Sequence, residues 1–159
     1  MATTTSTARR EVHYANFDEV RADAERLARV PIRTIGNWSY PQILDHLTKA
    51  MSATLDGVNF KAPWFMRTFI APFVRNSILS QGMKPGFRLP ASAKALLPAE
   101  NISLPTALDN FRRALDRFEK EPQRAPHPFF GQLARQEYDS LHLRHSELHL
   151  SFVVPDETV

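Results

Sequence analysis

Between Phe17 and Phe152, apolar residues return every third or fourth position in separate runs, the period of helices that bury one face. Phe17, Val20, Ala24 and Leu27 form the first run; Asn16 can cap it, with Glu19 three residues on as the reciprocal partner. Pro31 then stops that helix. The second run is Ile43, Leu47, Ala50, Met51 and Thr54, broadened by Leu44 and Leu55. Ser39 with Gln42 makes a capping box before it, Pro41 sits in the first turn, and Gly57 suits its C-terminus. Trp64, Phe65, Phe69, Ile70, Phe73 and Ile78 predict a third, shorter helical region over 63–80, which Pro72 kinks or divides. Leu104, Leu108, Phe111, Leu115 and Phe118 predict a helix over 104–120 capped by Ser103. The last helix, over 135–152, lines Tyr138, Leu141, His142, His145, Leu148, His149 and Phe152 along one broad face.

Two irregular connections separate these runs. The longer, 81–100, carries Pro85, Gly86, Pro90 and Pro98, and such length points to a functional loop or to a cover for the core. No strand pair, repeat or linker between two cores is visible. The predicted class is all-α: a four-helix bundle over 11–153 with extra short helices in its connections, after a disordered leader 1–10 and before a loose tail 154–159.

At 159 residues and 43% hydrophobic, the chain has material for one core. Its formal charge of +3 is small and its basic residues are dispersed, so no nucleic-acid partner is expected. Arg112 and Arg113 read as the solvated face of a helix. There is no cysteine, which excludes disulfides, thiolate ligands and a cysteine nucleophile, and which fits the cytoplasmic setting expected here. The longest apolar stretch, 64–79, is broken by Arg67, Pro72 and Arg75, so no membrane is expected as a partner.

The candidate chemistry is histidine. His145 and His149 lie one helical turn apart on one face, and both imidazoles can reach a common point. His46 sits mid-helix in an apolar stripe, where an uncompensated imidazole is a costly guest, and is the best third ligand. Three nitrogens leave a coordination position open for water or substrate. The competing reading makes these histidines polar residues at the rim of the bundle. Ser146 follows His145, where a zinc protease helix needs glutamate, so that reading is poor. His142, one turn before His145, is open to three roles: a fourth ligand, a donor behind the ligands, or a general base; the last makes it the candidate catalytic residue. His127 is expected to pin its loop and His13 to be inert. Asp45 reads as a solvated neighbour of His46, Gln42 as a hydrogen-bonding group near the site, and Trp38 as a core anchor. Lys84 and Arg88 can meet an anionic substrate if their connection folds over the site.

The segments NFDEV, GNWSYPQILDHL, HPFFG and LHLRHSELHLSF together resemble the DinB-like (DinB/YfiT) metal-binding superfamily, closest to a bacterial branch of unknown function. The resemblance covers roughly 12–153 and matches His46, His145 and His149 to that family's metal ligands. It implies an up-down-down-up bundle, often a homodimer, with zinc, nickel or iron as the divalent transition metal. It also implies a low-molecular-weight thiol as a further cofactor in some relatives. The function expected is therefore that of a divalent-metal-binding protein, either a metal-dependent hydrolase or a thiol-dependent transferase acting on a small-molecule substrate. The alternatives are a non-enzymatic metal-binding or stress-response module and a metal-free helical homodimer.

Overall fold

The computed structural model describes residues 8–156. The long helices are α1 (Phe17–Leu27), α2 (Tyr40–Asp56), α3 (Ala71–Gln81), α4 (Leu104–Lys120) and α5 (Arg135–Leu150). Short strands β1 (Ile32–Thr34) and β2 (Val153–Pro155) flank α2 and follow α5, and a six-residue 3-10 helix, Ala91–Leu96, interrupts the long connection. The architecture is predominantly helical, of the bundle kind.

Local chemistry accounts for the helix limits. The Asn16 side chain accepts the Glu19 N–H at 3.0 Å, and Glu19 returns a bond from the Ala15 N–H at 2.8 Å. Ser39 N–H donates to Gln42 Oε1 at 2.9 Å, closing the capping box of α2. At its far end Gly57 takes φ +83°, a conformation that a side chain disfavours. α5 starts without a capping hydroxyl; Glu137 instead accepts the Ala134 N–H at 2.9 Å.

α2 packs chiefly on α4, and α1 and α5 complete the core. Val20, Leu27, Leu44, Leu47, Met51, Phe111, Leu115, Phe118, Tyr138 and Leu150 are fully buried within it. All three buried phenols find acceptors: Tyr40 the Ala24 carbonyl at 2.6 Å, Tyr138 the Ala125 carbonyl at 2.8 Å and Tyr14 the Asp23 carboxylate at 2.5 Å.

The 63–80 prediction meets a divided helix. Met66–Ile70 forms a π turn, closed by the Ala71 N–H on the Met66 carbonyl, and α3 follows with Pro72 in its first turn. Proline has no N–H and its ring crowds the carbonyl four residues back, which widens the turn before it. Of the residues in the π turn and α3, only Ala71 is buried.

One expectation is corrected. The chain does contain a strand pair: β1 and β2 run antiparallel with Ile32 opposite Pro155 and Thr34 opposite Val153. Three-residue strands from opposite ends of the chain are too short to show an alternation. Of the expected leader and tail, residues 1–7 and 157–159 lie outside the described residues. Arg10 is anchored: its guanidinium donates to the Val153 carbonyl at 2.7 Å and to Asp23 Oδ2 at 2.7 Å. Arg112, read as solvated, makes a two-pronged pair with Glu25 of α1. Among the described residues no helix is long and apolar enough to cross a membrane.

Candidate metal centre

α2 and α5 bring His46, His145 and His149 together, with one ring nitrogen from each lying within 4.8 Å of the others. His46 Nε2 stands 3.1 Å from His145 Nε2. Its ring centroid is 4.6 Å from that of His149, and His145 and His149 are also 4.6 Å apart. Two nitrogens at ordinary ligand distance from one tetrahedral ion are about 3.3 Å apart, so the closest pair is already near that spacing.

The tautomer of His46 follows from its other nitrogen. Nδ1 lies 2.7 Å from the Leu96 carbonyl, which can only accept, so Nδ1 carries the proton and Nε2 presents its lone pair to the cluster. Burial lowers the pKa of all three rings. For His149 it falls to about 3, with His46 adding repulsion; for His145 the neighbouring histidines reinforce the burial. His46 is lowered mainly by burial. At neutral pH all three are uncharged, the form that binds a metal.

His46 is only 4% exposed, whereas His145 and His149 are half-buried, which leaves the α5 side of the cluster toward solvent. Trp38 does more than anchor the core. Its indole stacks on His149 at 5.6 Å and lies against His46 at 4.9 Å, fixing both rings from one side.

The end of the connection 81–100 lies along α2, which holds it through one stripe of side chains. Gln42 Nε2 donates to the Ala99 carbonyl at 3.3 Å, Asp45 accepts the Ala99 N–H at 2.8 Å, and Lys49 donates to the Leu97 carbonyl at 2.8 Å. Asp45 is therefore not solvated. It is 6% exposed and paired with Lys49 at 2.9 Å, and its partner N–H lies too far along the chain for periodicity to reveal. Lys84 and Arg88, in the same connection, are exposed.

His142 sits behind the triad. Its ring lies 6.4 Å from that of His145 and 4.7 Å from Phe118, and Nε2 is bonded to Thr54 Oγ1 at 2.8 Å. Burial lowers its pKa to about 3. Its Nδ1 and the Ser146 hydroxyl one turn on are buried and find no partner among the described residues. His127 pins its loop: Nδ1 accepts the N–H groups of Phe129 and Phe130, each at 3.1 Å. His13 is exposed, beside Arg144 and Glu147 at 3.0 Å.

One expected cofactor is withdrawn. The chain has no cysteine, so it holds no sulfur to exchange with a thiol, and neither a low-molecular-weight thiol nor the thiol-dependent transferase is carried further.

The chain belongs to the family described as a protein of unknown function, DUF1569, which it matches over residues 6–156. No curated protein and no solved structure matches it.

Proposed function

We propose that the protein binds one divalent transition metal ion through His46, His145 and His149, and that the ion serves a hydrolytic reaction on a small molecule. The observation that carries this reading is the convergence of three neutral imidazoles from two helices, with the tautomer of one set by the Leu96 carbonyl. Imidazole-only ligation suits zinc, nickel or iron and disfavours calcium or magnesium. Such an ion, when bound, acidifies a coordinated water or polarises a substrate oxygen. Around it, Trp38 holds two rings in place and the Asp45–Ala99 and Lys49–Leu97 bonds hold the covering segment. A substrate would approach past His145 and His149, which are less buried than His46.

For His142 two roles are proposed, proton handling and positioning of α5. Its neutral state supports a base, while its engaged Nε2 and a pKa near 3 support positioning of α5 more strongly. A His142→Gln variant that keeps its metal but loses turnover favours the former. The likeness to DinB-like proteins belongs to the same proposal and rests on the helical bundle and the triad.

The test is elemental analysis of untagged protein beside a His46→Ala/His145→Ala variant, before and after incubation with zinc, nickel or ferrous iron. About one equivalent in the parent and none in the variant is expected. No uptake of any of the three by the parent would sink the reading.

A further inference from the structure

Between Gly57 and Ala99 the chain has six basic residues and no acidic one, so with a total of +3 the rest of the protein carries a net −3. The same segment holds most of the large apolar side chains that the fold leaves uncovered. Trp64 is 71% exposed, Phe69 63% and Phe73 78%, with Phe65 and Ile70 also exposed beside them. Trp64 touches Phe65 and Phe69 through ring edges at 6.5 and 6.2 Å, and Phe73 follows Phe69 by one turn, so these rings form one continuous face. Scattered exposed apolar residues are ordinary; a continuous aromatic face marks an interaction surface.

The charges say what meets it. Arg75 is paired with Glu137. Lys61, Lys84, Arg88 and Lys94 are exposed and have no acidic partner among the described residues. Lys61 lies just before Trp64, and Arg88 adjoins Phe87, itself 83% exposed. A second copy docking this face on itself across a two-fold axis sets cations against cations with no carboxylate from the segment to offset them. An anionic lipid surface meets both features at once: headgroup charge for the lysines and arginines, and the interfacial layer for tryptophan and phenylalanine.

We infer that the helical face from Trp64 to Phe73, with Lys61 just before it and the other exposed cations of the same segment, docks on the surface of an anionic membrane. The association is peripheral, since no described helix is built to span a bilayer. It is independent of the metal proposed above.

Co-sedimentation of the full chain with phosphatidylcholine vesicles, with and without phosphatidylserine, tests this at low and high salt. Binding to the anionic vesicles is expected to be stronger by roughly tenfold or more and to weaken with salt. Phe69→Ser/Phe73→Ser should abolish it, and so should a Lys61→Gln/Lys84→Gln/Arg88→Gln/Lys94→Gln variant. If the aromatic variant does not fold, the charge variant, which alters only exposed side chains, decides. No binding, or equal binding to both vesicle types, overturns the inference. So does a dimer by light scattering that Phe69→Ser/Phe73→Ser dissociates while vesicles leave the parent in solution, an outcome that assigns the face to a second copy.

Discussion

α4 and the helical stretch from Trp64 to Gln81 are similar in length and rich in apolar residues, yet their surroundings are opposite. α4 turns Ala107, Leu108, Phe111, Ala114, Leu115 and Phe118 inward against α2 and sends its arginines and aspartates outward. The other stretch buries Ala71 and leaves its rings to solvent. Helical spacing shows that a face exists. Whether a neighbour covers it depends on the rest of the chain, and here the bundle core is closed by α1, α2, α4 and α5 before the segment after α2 reaches it.

The sharpest way to break this contrast is to delete one ring from each helix. Phe118 packs against Phe17, His142 and the Arg124 guanidinium, so Phe118→Ala should cost about 3–5 kcal/mol by urea denaturation. Phe73→Ala, the smallest effect in the series, should stay within about 0.5 kcal/mol. A comparable loss at Phe73 would mean that its ring is covered in solution.

Between these extremes stands metal. Zinc at a hundred times its dissociation constant should stabilise the protein by about 2.7 kcal/mol, raising the melting temperature by roughly 5–10 °C. A chelator should reverse the shift, and His145→Ala should show none.

Acid should act on the bundle in a defined window. His142 and His149 have folded pKa values of about 3 and His127 of about 4, below the ordinary 6.5. The unfolded chain therefore takes up protons first as pH falls. Stability is complete above about pH 6.5 and declines toward pH 3–4, by up to about 1.4 kcal/mol per pH unit for each such histidine. Metal should leave over the same descent, since protonated imidazole is no ligand. Melting curves from pH 8 to pH 4 check the sign; a protein more stable at the acid end contradicts it.

A smaller effect is expected where the covering segment meets α2. Asp45→Ala removes the acceptor of the Ala99 N–H and the partner of Lys49 and should cost about 1–2 kcal/mol. It should also free residues 91–99 to exchange amide hydrogens faster and weaken metal binding about 10-fold through the loosened Leu96 carbonyl. Unchanged exchange in that stretch would show that Asp45 does not hold it.

The elements that the chain announces are those with local signals. α2 and α4 carry their own caps and an unbroken apolar period, and their limits follow from Ser39, Gly57 and Ser103. His145 and His149 share a face by spacing alone, and His46 stands out because an imidazole is out of place among Leu44, Leu47 and Met51. What escaped reading depends on partners distant in sequence. Asp45 finds a backbone N–H across the long connection, β1 finds β2 at the other end of the chain, and Trp38 faces two rings from different helices. The Leu96 carbonyl that orients His46 leaves no trace in the sequence, because a backbone group has no residue-type signature.

The π turn at Met66–Ile70 behaves, in terms of chain length, as a stored insertion. Removing any one residue inside it would let regular α geometry run through to α3, which Arg75 and Glu137 keep fixed to α5. The part before it would then keep its direction, because five residues of a π turn and four of an α turn sweep nearly the same angle around the helix axis. Trp64 and Phe65 would stay on the side they share with Phe73, although the chain between them had been shortened. A surface built this way tolerates a one-residue deletion inside the turn, whereas the same deletion in the regular part of α3 would turn every ring before it by about 100°.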